Sequence, residues 1–223
     1  MNPEQGGQLK LYSYWRSSAA YRVRAALHLK GLEFITAPVH LLRKGGEQHA
    51  ETYRLLNPQG LVPALEHDGH VLTQSMAICE YLDERFERYP LLPAGSIERA
   101  RVRSLVLHIA CDVHPLNNLR VQNFLKDQFG DAVDAVVWMR HWMSKGFSAI
   151  EIQVSDTTAD KSVLHNDRPG LFECFLVPQV YNAERYGTDM SEFPAINGIV
   201  ARCREHPAFI AAAPENQPDA EPL

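Results

Sequence analysis

The chain has 223 residues, enough to bury a full core in one large domain or two modest ones. Its 22 Lys+Arg against 27 Asp+Glu leave a formal net charge of -5, which argues against a general nucleic-acid surface and confines any anion site to a local cluster. The opening MNPEQGGQLK has no apolar signal core, and no apolar run approaches membrane-spanning length, so a cytoplasmic chain without a membrane partner is expected.

After a disordered start over 1–8, Leu9 to Tyr14 alternates apolar and polar residues as a strand does, and Ser17 or Ser18 is placed to cap a helix running to about Lys30. Gly31 stops that helix. Leu32 to Val39 reads as a second strand, and the segment from His40 carries a Gly-Gly break and a weak helix ending at Asn57-Pro58. Leu61 to Leu65, the His67-Asp68-Gly69 turn and Val71-Leu72 form a hairpin. Gln74-Ser75 then opens a helix through about Arg88.

The run YPLLPAG at 89–95 separates two differently patterned halves. From Ile97 onward the apolar residues keep helical spacing, as at Val102, Leu105, Val106 and Ile109, and no strand is expected. Residues 155–168 read as a polar loop, Leu171 to Tyr186 and Ala195 to Glu205 as helices, and the Pro-rich end as a mobile tail. The expected layout is a first α/β domain over 9–89, a linker over 90–96, an all-helical domain over 97–212 and a tail over 213–223. Cys79, Cys111, Cys174 and Cys203 lie far apart in apolar segments, without metal or redox spacing, so buried free thiols and no metal are expected.

Arg16, Arg22 and Arg24 crowd the start of the first helix, where the helix dipole disfavours cations. This points to an anion held at the Ser17-Ser18 turn, with a solvated arginine-rich helix as the alternative. No G-x-S-x-G elbow surrounds Ser17, so its chemistry is that of a donor to a thiolate or another anion, beside its ordinary role as a helix cap. Lowering a thiol pKa by about two units takes roughly 2.7 kcal/mol. A charged hydrogen bond worth roughly 1.5 to 3 kcal/mol and a helix dipole worth up to about 2 kcal/mol meet that requirement without a base.

Val62-Pro63 opens a strand, either as a trans edge or as a cis bond whose neighbouring backbone is open to an extended peptide. Gln74-Ser75 offers an amide, a hydroxyl and helix N-terminal N–H groups, a seat for a carboxylate or a plain cap. In CDVHPLNNLR, His114, Asn117, Asn118 and Arg120 interrupt an apolar helical region; they form a site or solvate the kink at Pro115. Arg185, in the helix from Leu171, is either a surface residue or a substrate contact.

The strings RSSAAYRVRAAL, GGEQHAETYRLLNPQGLVPAL, TQSMAICEYL, CDVHPLNN and LVPQVYNAERYGTDMSEFP, in this order, resemble the zeta class of the glutathione transferase superfamily, the maleylacetoacetate and maleylpyruvate isomerases. The resemblance implies a thioredoxin-like N-terminal domain that binds glutathione, a helical C-terminal domain that builds the substrate pocket, and a homodimer. It implies that Ser17 faces the glutathione sulfur with Arg16 beside it, and that Gln48, Val62, Gln74 and Ser75 hold the peptide. Pro63 matches the family's cis-proline. His114 and Asn118 are implied near glutathione, and Arg16, Arg120 and Arg185 near a small dicarboxylate keto acid. The implied chemistry is reversible addition of the thiolate to a conjugated double bond, rotation, and elimination. A general glutathione transferase or haloacid-processing activity, and a non-catalytic interaction protein of the same fold, are the alternatives.

Two positions depart from the family pattern. Ala19 stands where zeta members usually carry a cysteine, and Gly170-Leu171-Phe172-Glu173 replaces the usual Thr-x-x-Asp capping box. A glycine in place of the side-chain cap costs only a few tenths of a kcal/mol, so folding is expected to survive.

Overall fold

A computed structural model describes residues 7–155 and 168–222. The expected disordered N-terminus through residue 6 and the polar loop over 156–167 lie outside the described residues. The chain forms two compact units, one from the residues up to Leu91 together with Arg204 onward, the other Leu92–Cys203.

In the first unit the elements run β1 (Leu9–Ser13), α1 (Ser18–Leu29), β2 (Phe34–Pro38), α2 (Glu51–Leu56), β3 (Ala64–His67), β4 (His70–Thr73) and α3 (Ser75–Arg85). The sheet order is β2-β1-β3-β4, with β1 parallel to β2 and the other pairs antiparallel. A parallel pair needs a crossover, and α1 supplies it. This mixed four-stranded sheet is the thioredoxin-like arrangement that the family resemblance implies. Leu9 and Leu11 of β1 point into the core, and α1 is buried on nearly every side because it packs against both α3 and a late helix, α9 (Pro207–Ala212).

Asp68 and Gly69, with φ of 48° and 76°, make the two-residue turn between β3 and β4, where only a small or polar residue tolerates the left-handed backbone. The third strand starts at Ala64 rather than Leu61. The Leu61 carbonyl is already taken by Asn57 Nδ2 and the Tyr53 hydroxyl, both at 2.7 Å, which holds that residue in the preceding loop.

The regular elements described in the second unit are all helical: α4 (Ser96–Leu107), a wide π turn over His108–Val113, a 3-10 turn over His114–Asn117, α5 (Leu119–Phe129), α6 (Ala135–Ser155), α7 (Leu171–Arg185) and α8 (Pro194–Glu205). Every residue from Leu171 to Val180 is buried, so α7 is the unit's central helix, packed against α4. Its cap is half a capping box. Gly170 has no side chain to offer, but its N–H donates to Glu173 Oε2 at 2.7 Å. Glu173 is itself buried, and desolvation pushes its pKa up to about 7.

Two expectations need correction. Cys111, within the π turn, is exposed, whereas Cys79, Cys174 and Cys203 are buried. The stretch after Ala212, read as a mobile tail, is folded onto the first unit through residue 222. Gln217 Nε2 donates to the carbonyls of Ala211 and Ala213 at 2.9 and 2.8 Å, and Trp15 N donates to Asp219 Oδ2 at 3.0 Å.

Candidate active site

The chain leaves β1 through a tight turn closed by Ser17 N donating to the Tyr14 carbonyl at 2.9 Å. Ser17 is the N-cap of α1, and its Oγ accepts from Ala20 N at 3.2 Å. Accepting that bond leaves the hydroxyl's own proton to donate outward. The helix start beyond it carries no acidic residue, so its positive end is not neutralised from within. Arg16 lies over the Trp15 ring, 4.8 Å from its centroid, with Nη2 donating to the Tyr14 hydroxyl at 3.3 Å. Its Nε is buried without a hydrogen-bond partner among the described residues, and no carboxylate there pairs with it.

The other two arginines of this helix do different work from the one their charge suggests. Arg24 is fully buried, donating to Ser13 Oγ and to the carbonyls of Tyr14, Trp15 and Ala212 at 2.9 to 3.4 Å. Arg22, also buried, donates through Nη1 to Ser75 Oγ at 3.1 Å. Both are framework, and only Arg16 remains beside the Ser17 turn.

Arg22 links that turn's helix to the start of α3. Gln74 precedes α3 with φ of 69°, and its amide donates to Gln59 Oε1 at 2.8 Å instead of capping the helix. A non-glycine residue in the left-handed region at a helix start stores strain of the kind found at ligand sites. Val62, joined to Pro63 by a cis bond, lies just before the paired stretch of β3. Gln48 is buried; its Nε2 reaches the Leu41 carbonyl at 3.4 Å, while Oε1 has no partner among the described residues.

In the second unit, part of the polar segment serves the local fold. Asn117 is buried and its amide donates to the Val113 carbonyl at 2.9 Å, beside the bend, while its Oδ1 accepts from Asn182 Nδ2 at 3.2 Å. Asn118 caps α5, accepting from Arg120 N at 3.1 Å. His114 is half-buried and Arg120 exposed. Arg185, at the end of α7, is exposed and lies over the Tyr186 ring at 4.4 Å, also donating to the Tyr186 hydroxyl, which in turn reaches Gln122 Oε1 at 3.2 Å. Tyr186 and Gln122 thus set the place of Arg185, a role that a tyrosine one residue away in sequence did not disclose. Neither Arg120 nor Arg185 has a carboxylate partner among the described residues.

Burial pushes the Cys79 and Cys203 thiols up to about 12, so neither is an accessible nucleophile. Within the first unit, the Ser17 hydroxyl at the start of α1, the start of α3 without a side-chain cap and the Arg16 guanidinium without a carboxylate partner among the described residues are groups suited to binding an anion.

The chain is similar to known proteins over most of its length. The model of the glutathione S-transferase N-terminal domain matches residues 7–84. A probable maleylacetoacetate isomerase of Vibrio cholerae is 49% identical over 213 residues, 95% of this chain and 98% of that one. The solved holo structure of a maleylpyruvate isomerase, a bacterial glutathione S-transferase of the zeta class, superposes with a TM-score of 0.89 at 40% identity, covering 95% of this chain and 100% of the other. A maleylacetoacetate isomerase from Anaeromyxobacter dehalogenans with glutathione bound in its active site gives 0.85 at 41% identity, covering 97% and 100%. The chain belongs to the glutathione S-transferase family, in the zeta class with the maleylacetoacetate and maleylpyruvate isomerases.

Proposed function

We propose that this protein is a glutathione-dependent cis-trans isomerase of a maleyl keto acid, converting maleylacetoacetate to fumarylacetoacetate or maleylpyruvate to fumarylpyruvate. The observation that carries the reading is the Ser17 turn, where a hydroxyl with a proton to donate sits at an unneutralised helix start beside Arg16, an arginine with no carboxylate partner among the described residues. The residues present fit glutathione, a peptide with a thiol and two carboxylates. Gln48 Oε1 and Arg16 Nε are buried polar atoms without partners among the described residues, and α3 begins without a side-chain cap.

In this reading Gln48, Val62, Gln74 and Ser75 hold the peptide, with His114 and Asn118 completing the cofactor's surroundings. When bound, glutathione supplies a thiolate that adds reversibly to the conjugated double bond and leaves again, so that the bond is single while it rotates. Ser17 donates its hydroxyl proton to the sulfur and, with the positive end of α1, favours its charged form. Ala19 brings no thiol of its own, which leaves that task to Ser17 and the helix. Arg16 faces the charge that develops on the carbonyl oxygen conjugated with the double bond, and Arg120 and Arg185 grip the substrate's carboxylates by their forked donors. The protein acts in the cytoplasm as a homodimer.

The test follows the absorbance of maleylacetoacetate and of maleylpyruvate with and without glutathione, in wild type and Ser17→Ala. The cis isomer is expected to disappear only with glutathione, and at least about 100-fold more slowly in the variant. Equal rates without glutathione would overturn the mechanism.

A further inference from the structure

The last ten described residues touch both parts of the first unit that this function uses. Asp219 Oδ2 accepts from Trp15 N at 3.0 Å, two residues before Ser17, while Arg24 holds the Trp15 carbonyl at 2.9 Å and the Ala212 carbonyl at 3.0 Å. The Trp15 backbone is thus fixed on both sides, and Arg16 rests on its ring. Ala220 packs on the apolar cluster of Tyr14, Trp15, Val39, Tyr53 and Val62, beneath the same turn.

One residue further, Glu221 Oε1 lies 3.3 Å from His40 Nε2 and pairs with Arg43. His40 Nδ1 accepts from Leu42 N at 3.1 Å and Arg43 N at 2.9 Å, so the ring proton belongs on Nε2, where it is donated to Glu221. The His40 backbone exchanges hydrogen bonds with Glu47, its N–H reaching Glu47 Oε2 at 2.8 Å and its carbonyl accepting from Glu47 N at 2.8 Å. Glu47 precedes Gln48. The end of the chain therefore grips the Ser17 turn with one carboxylate and the loop leading to Gln48 with the next.

We propose that Asp219 and Glu221 are positioning residues of the glutathione site, the first setting Arg16 and Ser17 through the Trp15 amide and the second setting Gln48 through His40. This rests on the glutathione reading above. Neither side chain contacts a reacting atom in it, so each acts on a different kinetic parameter. Losing the Asp219 acceptor leaves a backbone N–H without its partner and frees the turn, which lowers thiolate formation and kcat. Losing Glu221 loosens only a peptide-holding loop, which raises KM for glutathione and spares kcat.

The experiment compares wild type, Asp219→Ala, Asp219→Asn and Glu221→Ala. Calorimetry measures glutathione binding, ultraviolet titration the ionisation of the bound thiol, and hydrogen exchange the protection of the Trp15 to Ser18 amides without ligand. Asp219→Ala is expected to lose protection there, raise the pH midpoint of thiol ionisation by about one unit and lower kcat about tenfold; Asp219→Asn, which keeps an acceptor, restores most of both. Glu221→Ala is expected to weaken glutathione binding about threefold with kcat within twofold of wild type. Should Asp219→Ala not fold, Glu221→Ala decides alone, because Glu221 is only half-buried and its partner Arg43 is exposed. Unchanged binding in Glu221→Ala, or a folded Asp219→Ala with wild-type thiol ionisation, overturns the proposal while wild type still binds glutathione. Absence of binding in wild type overturns the functional reading instead.

Discussion

Arg24 Nε donates to the carbonyl of Ala212, 188 residues further along the chain, at 3.0 Å inside the first unit. The same guanidinium also donates to Ser13 Oγ and to the carbonyls of Tyr14 and Trp15, so one buried cation binds the exit of β1 to the end of α9. Removing it strands several buried acceptors, each costing about 1 to 3 kcal/mol. Arg24→Met, which keeps the apolar stem, is expected to destabilise the protein by on the order of 3 kcal/mol in total and lower Tm by roughly 6 to 12 °C, as read by calorimetry. A melting point within 2 °C or so of wild type would remove the framework role.

The two roles of Ser17 separate by substitution. Alanine removes both the cap on Ala20 N and the outward donor, whereas aspartate keeps the cap and supplies no proton at neutral pH. Ser17→Ala is expected to lose about 1 kcal/mol of stability, and Ser17→Asp to melt near wild type. Both should lose isomerase activity, Ser17→Asp the more, since its carboxylate repels a neighbouring thiolate. Full activity in Ser17→Asp would show that the helix start alone is sufficient.

How far these roles were legible depends on how far away each partner lies. Periodicity and turn residues located the strand-helix-strand opening, the hairpin at Asp68-Gly69 and the all-helical second half, because those signals are local. The crowding of Arg16, Arg22 and Arg24 was also visible, but its meaning was not: the partners of Arg24 lie 9 to 188 residues away, and a buried guanidinium on carbonyls looks in sequence like a cation awaiting an anion. The same reason hid the end of the chain. A stretch rich in proline and carboxylates reads as a tail unless the Trp15 amide, 204 residues earlier, is known to meet Asp219. At Asn117 and Asn118 the ambiguity between kink and site was real, and the structure gives both a local structural bond.

Arg185 offers a test of substrate binding apart from cofactor binding. Its guanidinium lies over the Tyr186 ring and has no carboxylate partner among the described residues. A charge-assisted bond to a substrate carboxylate is worth roughly 1.5 to 3 kcal/mol, so Arg185→Ala is expected to lower kcat/KM for the keto acid about 10- to 100-fold while KM for glutathione stays within about twofold. Arg185→Lys keeps the charge but loses the forked donors, and should fall between. An unchanged kcat/KM would take Arg185 out of the site.

The buried carboxyl of Glu173 makes stability depend on pH. Desolvation raises its pKa from 4.5 to about 7, against the opposing pull of the Gly170 N–H and, more weakly, of Arg202. A carboxyl that holds its proton more tightly folded than unfolded contributes stability that is complete below about 4.5 and is lost as pH rises through about 7, a change of about 3 kcal/mol. Its charged form also faces the Cys203 thiol, whose ionisation it opposes after burial itself. Glu173→Gln still accepts from Gly170 N but does not titrate. Denaturant melts from pH 5 to pH 8 should therefore show wild type losing stability relative to Glu173→Gln as pH rises, with the variant ahead by about 1 to 3 kcal/mol at the alkaline end. Glu173→Ala, which removes the acceptor, should be the least stable of the three at pH 5. Parallel pH profiles for wild type and Glu173→Gln would mean that Glu173 does not titrate within this range, and that the start of α7 tolerates its charge.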